Sequence, residues 1–387
     1  MLPTITDAGR IHLKWALTDG VGPILFSRLI VRFGDAEKAC SASADQLAAI
    51  KGISRESAER IARARDALAI DAEIEAAAAQ GVRLICRADA DYPAGLAQIA
   101  DAPIVLYVKG ELQPTDAVAL AVVGTRQCSI YGSEQARRFG GLLAEAGFTI
   151  VSGLARGIDA FAHHGAVDAG GRSIAVLGNG LTEIYPAENR ALADKLLQRG
   201  AWLSELPMQA EVRRENFPSR NRIIAGMTLG TLVIEAPKRS GALITARLAS
   251  EYNREVFAVP GRAQDPLAFG TNELIRRGYA KLTTCLEDVL EELGEVGERM
   301  RPKAGARGAA TQGRSDESGT VPGRTPRLSE IEKRVYQVVG HEPLLQDAVL
   351  AAVELPPGEV IAAFTSLELK GLIKRLPGQL VVRAGKA

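Results

Sequence analysis

From Ala119 onward the chain alternates short apolar runs with longer segments of helical character, and each run stops at glycine or a small polar pair. Ala119-Leu120-Ala121-Val122-Val123 breaks into the polar loop Gly124-Thr125-Arg126-Gln127-Cys128-Ser129 before a helix begins. The runs at 149–152, 173–177, 202–204, 231–235 and 256–259 end in the same way, on Ser-Gly, Gly, Ser-Glu, Glu-Ala or Pro-Gly. This pattern predicts an α/β domain built on an extended Rossmann-like, doubly wound parallel sheet. In such sheets ligands sit outside the carboxyl ends of the strands, where the unusual residues of this chain fall.

The flanks read differently. Residues 1–75 predict helices only, with two tight turns, Gly20-Val21-Gly22-Pro23 and Gly52-Ile53-Ser54, each feeding a helix. They resemble a SAM-like or helix-hairpin-helix module, whose turn amides can hold a DNA phosphate; a packing module is the equal alternative, because Ser54 stands where such a hairpin has glycine. The runs at 82–86 and 103–110 predict two further strands, so 80–294 is taken as one domain. Residues 295–327, rich in Gly, Pro, Arg, Ser and Ala, predict a flexible linker. A helix over 328–339, two more helical stretches through Lys370 and a hairpin over 372–383 about Pro377-Gly378 predict a winged helix in 328–387. Its third helix, 358–370, carries Glu359 and Glu368, which argues for a protein contact or modulatory role over groove reading.

Composition narrows the classes. At 387 residues two or three domains are expected, and a net charge of +1 leaves any polyanion site to local clusters of Lys and Arg. The four cysteines form no Cys-x-x-Cys pair, and no uncharged apolar stretch approaches the length of a membrane span. A soluble cytoplasmic protein without a bound cofactor is expected. His163 and His164 have no second His or Cys cluster, so packing or a bond to Asp159 is expected in place of a metal site.

The strand-end loops hold the candidate chemistry. The first lacks the Gly-x-Gly-x-x-Gly of a dinucleotide site, and the next strand ends at Ser152-Gly153 without a carboxylate for a ribose, which argues against NAD. Arg126 and the loop amides can still take phosphate. Asp159 is expected to cap its own helix. Gly178-Asn179-Gly180 permits close backbone approach, and Tyr185 either stacks on a base or packs locally. The densest nucleic-acid signal is Phe217-Pro218-Ser219-Arg220-Asn221-Arg222, read as a loop before an apolar helix, where an aromatic ring and guanidinium groups suit a single strand. Ser240-Gly241 opens another helix with exposed amides.

Taken together, Val-Val-Gly-Thr-Arg, Val-Ser-Gly-Leu-Ala-Arg-Gly-Ile-Asp-Ala, Ala-Val-Leu-Gly-Asn-Gly-Leu, Phe-Pro-Ser-Arg-Asn-Arg-Ile-Ile-Ala-Gly, Glu-Ala-Pro-Lys-Arg-Ser-Gly-Ala-Leu-Ile-Thr-Ala and Phe-Ala-Val-Pro-Gly resemble the DprA/Smf family over about 85–285. The resemblance implies a homodimeric protein that binds single-stranded DNA, protects incoming DNA and loads the RecA recombinase in natural transformation. It implies a DNA site of Gly124, Thr125, Arg126, Ser129, Ser152, Gly153, Gly178, Asn179, Gly180, Phe217, Arg220, Asn221, Arg222, Ser240 and Gly241. After Tyr185-Pro186, where the family can carry a basic residue, this chain has Ala187-Glu188, so a phosphate contact there either comes from Arg190 or is absent. The competing class is a nucleotide phosphoribohydrolase, with Glu205 and Glu235 as conceivable acid/base groups, but its Pro-Gly-Gly-x-Gly-Thr loop is missing. A pure protein adaptor is the third class.

Overall fold

A computed structural model describes residues 4–301, 328–340, 344–353, 355–370, 372–376 and 380–383. These fall into two compact units, one ending at Arg301 and one beginning at Leu328. In the first, apolar residues at helical spacing and well-placed caps build six helices before any strand: α1 (Asp7–Leu17), α2 (Pro23–Phe33), α3 (Ala36–Cys40), α4 (Ala44–Ala48), α5 (Arg55–Ala67) and α6 (Asp71–Ala79). Pro23 begins α2 and Gly34, at φ 95°, ends it. Ser54 is a helix cap: its hydroxyl accepts from the Ser57 amide at 3.1 Å at the start of α5.

The strands are β1 (Val82–Cys86), β2 (Val105–Gly110), β3 (Ala119–Val123), β4 (Thr149–Ser152), β5 (Ser173–Val176), β6 (Ala201–Ser204), β7 (Gly230–Val233), β8 (Glu255–Ala258) and β9 (Lys281–Leu282). Helix α7 (Ala94–Ala97) joins β1 to β2, and α8 (Ile130–Glu145), α9 (Ile158–Asp168), α10 (Arg190–Leu196), α11 (Asn216–Gly226), α12 (Gly241–Glu251) and α13 (Phe269–Arg276) follow β3 to β8 in turn. The sheet order is β1-β2-β6-β5-β4-β3-β7-β8-β9. The chain steps outward from β3 to β6, then returns to the other side of β3 for β7 to β9, which makes the crevice beside β3 the topological switch point. The sheet is parallel from β6 to β9, whereas β1 and β2 extend it in antiparallel pairing. Of the nine strands in this sheet, sequence patterning did not mark the two-residue β9.

Alternate residues of each strand enter opposite cores. Ala119, Ala121 and Val123 pack with Ile223, Ile224 and Ala246 of α11 and α12, while Leu120 and Val122 meet Phe139 and Ala162 of α8 and α9. At the far end of that second face, Leu84 and Tyr107 share a core with Leu13, Trp15 and Phe26. The boundary near residue 75–80 is therefore a change of element type and not of packing, and cutting there would uncover Leu84 and Tyr107. The expected linker also starts later than 295: after α14 (Leu286–Glu292) comes α15 (Gly294–Met300), whose Met300 packs on the α8 core. Most of the expected linker, 302–327, lies outside the described residues.

The second unit contains α16 (Glu330–Val338), β10 (Leu344–Leu345), α17 (Gln346–Val353), α18 (Pro357–Leu369), β11 (Ile373–Leu376) and β12 (Leu380–Arg383), with an antiparallel sheet ordered β10-β12-β11. Val335, Val349, Phe364 and Val381 form its core. Glu332 ties α16 to α18 by accepting from Ser366 Oγ at 2.6 Å and Lys370 Nζ at 2.5 Å. The Pro377-Gly378 turn lies outside the described residues.

Helices α8 and α9 cross with backbone against backbone: a Cβ on Gly140 would strike the Ala162 carbonyl, and one on Gly165 the Arg137 carbonyl. Gly165→Ala gains about 1 kcal/mol of helix propensity, yet the obstacle is helix backbone that cannot swing away. A net loss of ~1–3 kcal/mol is expected by urea unfolding. Gly141→Ala is the control, because its Cβ would sit at an ordinary 3.4 Å from the Gly165 carbonyl. Equal midpoints for the two variants would show that the crossing does not depend on glycine.

Candidate nucleic-acid interface

The end of β3 is held by Glu235 at the end of β7. Its carbonyl accepts from the Thr125 amide at 2.8 Å, and its buried carboxylate accepts from the Ser129 amide at 2.9 Å and from the Ser129 hydroxyl. That hydroxyl in turn accepts from the Gly132 amide at 2.9 Å and caps α8. A side chain on Gly124 would collide with Ile158, and one on Gly132 with the Glu235 carboxylate, so glycine is required at both. The loop is thereby pinned at both ends, and Arg126 projects from its middle into solvent.

Residues 216–222 form the first turns of α11 and not the expected loop. The helical period puts Phe217, Arg220, Asn221 and Ile224 on one face, toward the end of β3. Together with Gly124, Thr125, Arg126, Ser240 and Gly241 they line a cavity of about 480 Å³ at the switch point. The Arg126 guanidinium lies 4.8 Å from the centre of the half-buried Phe217 ring, and the exposed Tyr185 ring lies 6.0 Å from Phe217, bordering the same cleft. Gly178 makes room for this cluster, since a Cβ there would sit 3.1 Å from the Phe217 ring. Across the cavity Ser240 caps α12, and the space beside Gly241 is open. An aromatic face, an open guanidinium and a helix N-terminus around one cavity can take a base and its phosphates.

Two expected phosphate contacts are corrected. Arg220 is only 5% exposed, and its guanidinium donates to the carbonyls of Gly153 at 2.7 Å and of Val176. Burial lowers its pKa to about 10, opposed by the Asp159 carboxylate, whose own pKa burial raises. Arg222, two residues on, points to the opposite side of α11, where it pairs with Glu205 and lies 3.8 Å from Asp101. Burial raises the Glu205 pKa against the pull of that guanidinium. Both arginines are structural because each is desolvated and already bonded.

Several other expected site residues also hold the fold. Ser152 donates to the Val122 carbonyl at 2.7 Å, the Gly153 amide donates to Asp159 at 3.1 Å, and the Asn179 side chain donates to Gly180 and Glu183 carbonyls. Gly180 is pressed against the Pro207 and Met208 carbonyls. Arg190 pairs with Asp194 at 3.1 Å and lies over Trp202, away from the cavity. His163 is bonded to Ser173 Oγ at 2.7 Å instead of Asp159, and burial pushes its pKa down to about 3. No metal-ligating cluster occurs among the described residues.

Sequence reasoning passed over Arg156 and Arg239, which also line the cavity. Both lie in motifs already singled out, so the signal was present. Arg239 is exposed and makes no hydrogen bond or ion pair among the described residues. Arg156 makes a bidentate pair with Glu188, at 2.7 and 2.8 Å.

Because Arg222 neutralises a buried carboxylate, Arg222→Met is expected to cost ~3–5 kcal/mol in chemical unfolding, with DNA affinity of the folded fraction unchanged. Weaker DNA binding at full stability would return Arg222 to the interface.

Comparison with known proteins gives the relatives of this chain. Residues 83–294 match the family described as DNA recombination-mediator protein A, and 321–379 match the DprA winged helix domain. Protein Smf of Synechocystis sp. is 36% identical over 95% of this chain and 96% of its own length. Protein Smf of Escherichia coli is 42% identical over 75% of this chain and 74% of its own. The X-ray structure of DNA processing protein A from Streptococcus pneumoniae superposes with a TM-score of 0.64 at 35% identity, covering 74% of this chain and 98% of that one. The chain belongs to the DNA recombination-mediator protein A family, the DprA/Smf proteins of DNA processing, and carries that family's winged helix domain.

Proposed function

We propose that this protein binds single-stranded DNA across the carboxyl ends of β3, β4 and β7, protects incoming DNA and loads RecA recombinase onto it in natural transformation and recombination. It acts in the cytoplasm as a homodimer, without enzymatic turnover. The observation that carries this reading is Arg126 lying over Phe217 with Tyr185 alongside, at the mouth of the switch-point cavity. One ring offers a face to a base and the guanidinium meets the adjoining phosphate. A duplex keeps its bases stacked and cannot present them to Phe217, so the site favours a single strand. Membership of a DNA-processing family supports DNA as the ligand. Glu205 and Glu235, the carboxylates at strand ends, are each occupied by a bond that holds the fold, which speaks against acid/base work.

The homodimer reading is supported by the free edge of the sheet. Strand β9 ends it, and Phe269, Tyr279 and Leu282 are exposed large apolar residues near that edge. The winged helix is assigned a protein-contact or modulatory role, because α18 exposes Glu359 where a groove-reading helix needs basic residues. The N-terminal helices assist binding from the same compact unit, so their part is tested by surface substitution and not by deletion.

On a mixed-sequence single strand, Phe217→Ala is expected to weaken binding by ~1–3 kcal/mol. Arg126→Ala is expected to reduce the salt slope by about 0.7 as one phosphate contact is lost. Salt titrations of the folded variants decide; unchanged affinity and slope in both would move the site elsewhere. The winged unit by itself is expected to show no specific duplex binding at physiological salt, and a tight specific complex in a mobility-shift assay would refute its assigned role.

A further inference from the structure

Arg156 occupies an unusual position. It stands in the loop between β4 and α9, flanked by Leu154 at φ 55° and Gly157 at φ 72°, so the backbone there is sharply turned. Asn189 straps that loop by donating its side-chain amide to the Leu154 carbonyl at 2.8 Å and the Ala155 carbonyl at 3.4 Å. The backbone is thus fixed while the Arg156 side chain remains exposed. From there it borders both the switch-point cavity and a smaller adjoining cleft shared with Arg126, Tyr185 and Phe217.

The partner of Arg156 is Glu188, and both members of the pair are more than half exposed. An ion pair in that setting contributes little to stability, so the fold does not need it. Its geometry matters more: the two guanidinium nitrogens meet the two carboxylate oxygens as a fork, the same arrangement that guanidinium offers to a phosphate. The arginines around the cavity have distinct states. Arg220 is buried in carbonyl bonds, Arg126 lies over the Phe217 ring, and Arg156 alone of the three is held by an exposed carboxylate.

We propose that the Arg156–Glu188 pair is a displaceable clasp: Glu188 holds the place of a backbone phosphate in the free protein, and the phosphate next to the nucleotide on Phe217 takes Arg156 from it. This rests on the single-strand reading of the cavity. The clasp sets affinity at that position, since Glu188 competes with every phosphate that enters, and it adds a contact beyond Arg126. No covalent step is involved.

The test is a salt titration of the full chain on a mixed-sequence single strand, using Arg156→Gln, Glu188→Gln, the double variant and Phe217→Ala. Thermal melts check that each is folded. Removing Glu188 alone or Arg156 alone changes net charge, so tighter and weaker binding respectively follow from any rim pair. The double variant separates the cases because its net charge equals that of the wild type. A clasp that opens onto phosphate predicts that the double variant binds on the order of fourfold more weakly at about 0.15 M salt, with a slope smaller by about 0.7. Wild-type affinity and slope in the double variant overturn the proposal. If that happens while Phe217→Ala still weakens binding, the single-strand site stands without the clasp; if Phe217→Ala is also unchanged, both fall.

Discussion

The candidate interface depends on the hold that Glu235 has over the end of β3. One residue at the end of β7 supplies a carbonyl to the Thr125 amide and a buried carboxylate to Ser129. These bonds span the switch point, where β3 lies between β4 and β7 and the chain turns to opposite sides of the sheet. The intervening loop has no freedom to collapse into the crevice, because Gly124 and Gly132 are packed against Ile158 and Glu235. Arg126 is exposed over Phe217 as a consequence. A cavity remains open here because its walls are tied to one another and not to its contents.

Charge is partitioned in the same region with little waste. Desolvated guanidinium groups serve the fold: Arg220 bridges the ends of β4 and β5, and Arg222 neutralises Glu205 beneath α11. Solvated ones line the cavity: Arg126, Arg156 and Arg239 stand exposed at its rim. The helical period enforces this split on α11, since residues 220 and 222 sit about 200° apart around the axis. A net charge of +1 for the whole chain is compatible with a polyanion site because Glu205 neutralises the inward-facing Arg222, while Arg126 and Arg239 stand at the rim without an ion pair among the described residues.

The N-terminal helices and the sheet show how packing overrides a boundary suggested by composition. Trp15, Phe26 and Leu13 of the short N-terminal helices share one core with Leu84 and Tyr107 on the antiparallel extension β1–β2. That extension covers the β6 edge of the sheet, while the β9 edge is left with exposed apolar side chains. The two ends of one sheet thus differ: one is capped within the chain, and the other exposes Phe269, Tyr279 and Leu282.

The sequence by itself determined the element order, the doubly wound α/β class and the strand-end loops, because strand and helix periodicities and glycine punctuation are local properties of the chain. It also marked Arg126, Phe217 and Ser240-Gly241 through their motifs, although Phe217 lies in the first turn of α11 and not in a loop, and tertiary packing brought them around one cavity. It could not decide the fate of Arg220, Arg222, Ser152 or Asn179, whose hydrogen-bond partners lie between 17 and 67 residues away or depend on the exact turn of a loop. A side chain that binds a ligand and one that satisfies a distant carbonyl have the same local signature. Burial separates them, and burial is a property of which surfaces meet, so it was settled only when α11 packed onto the ends of β4, β5 and β6.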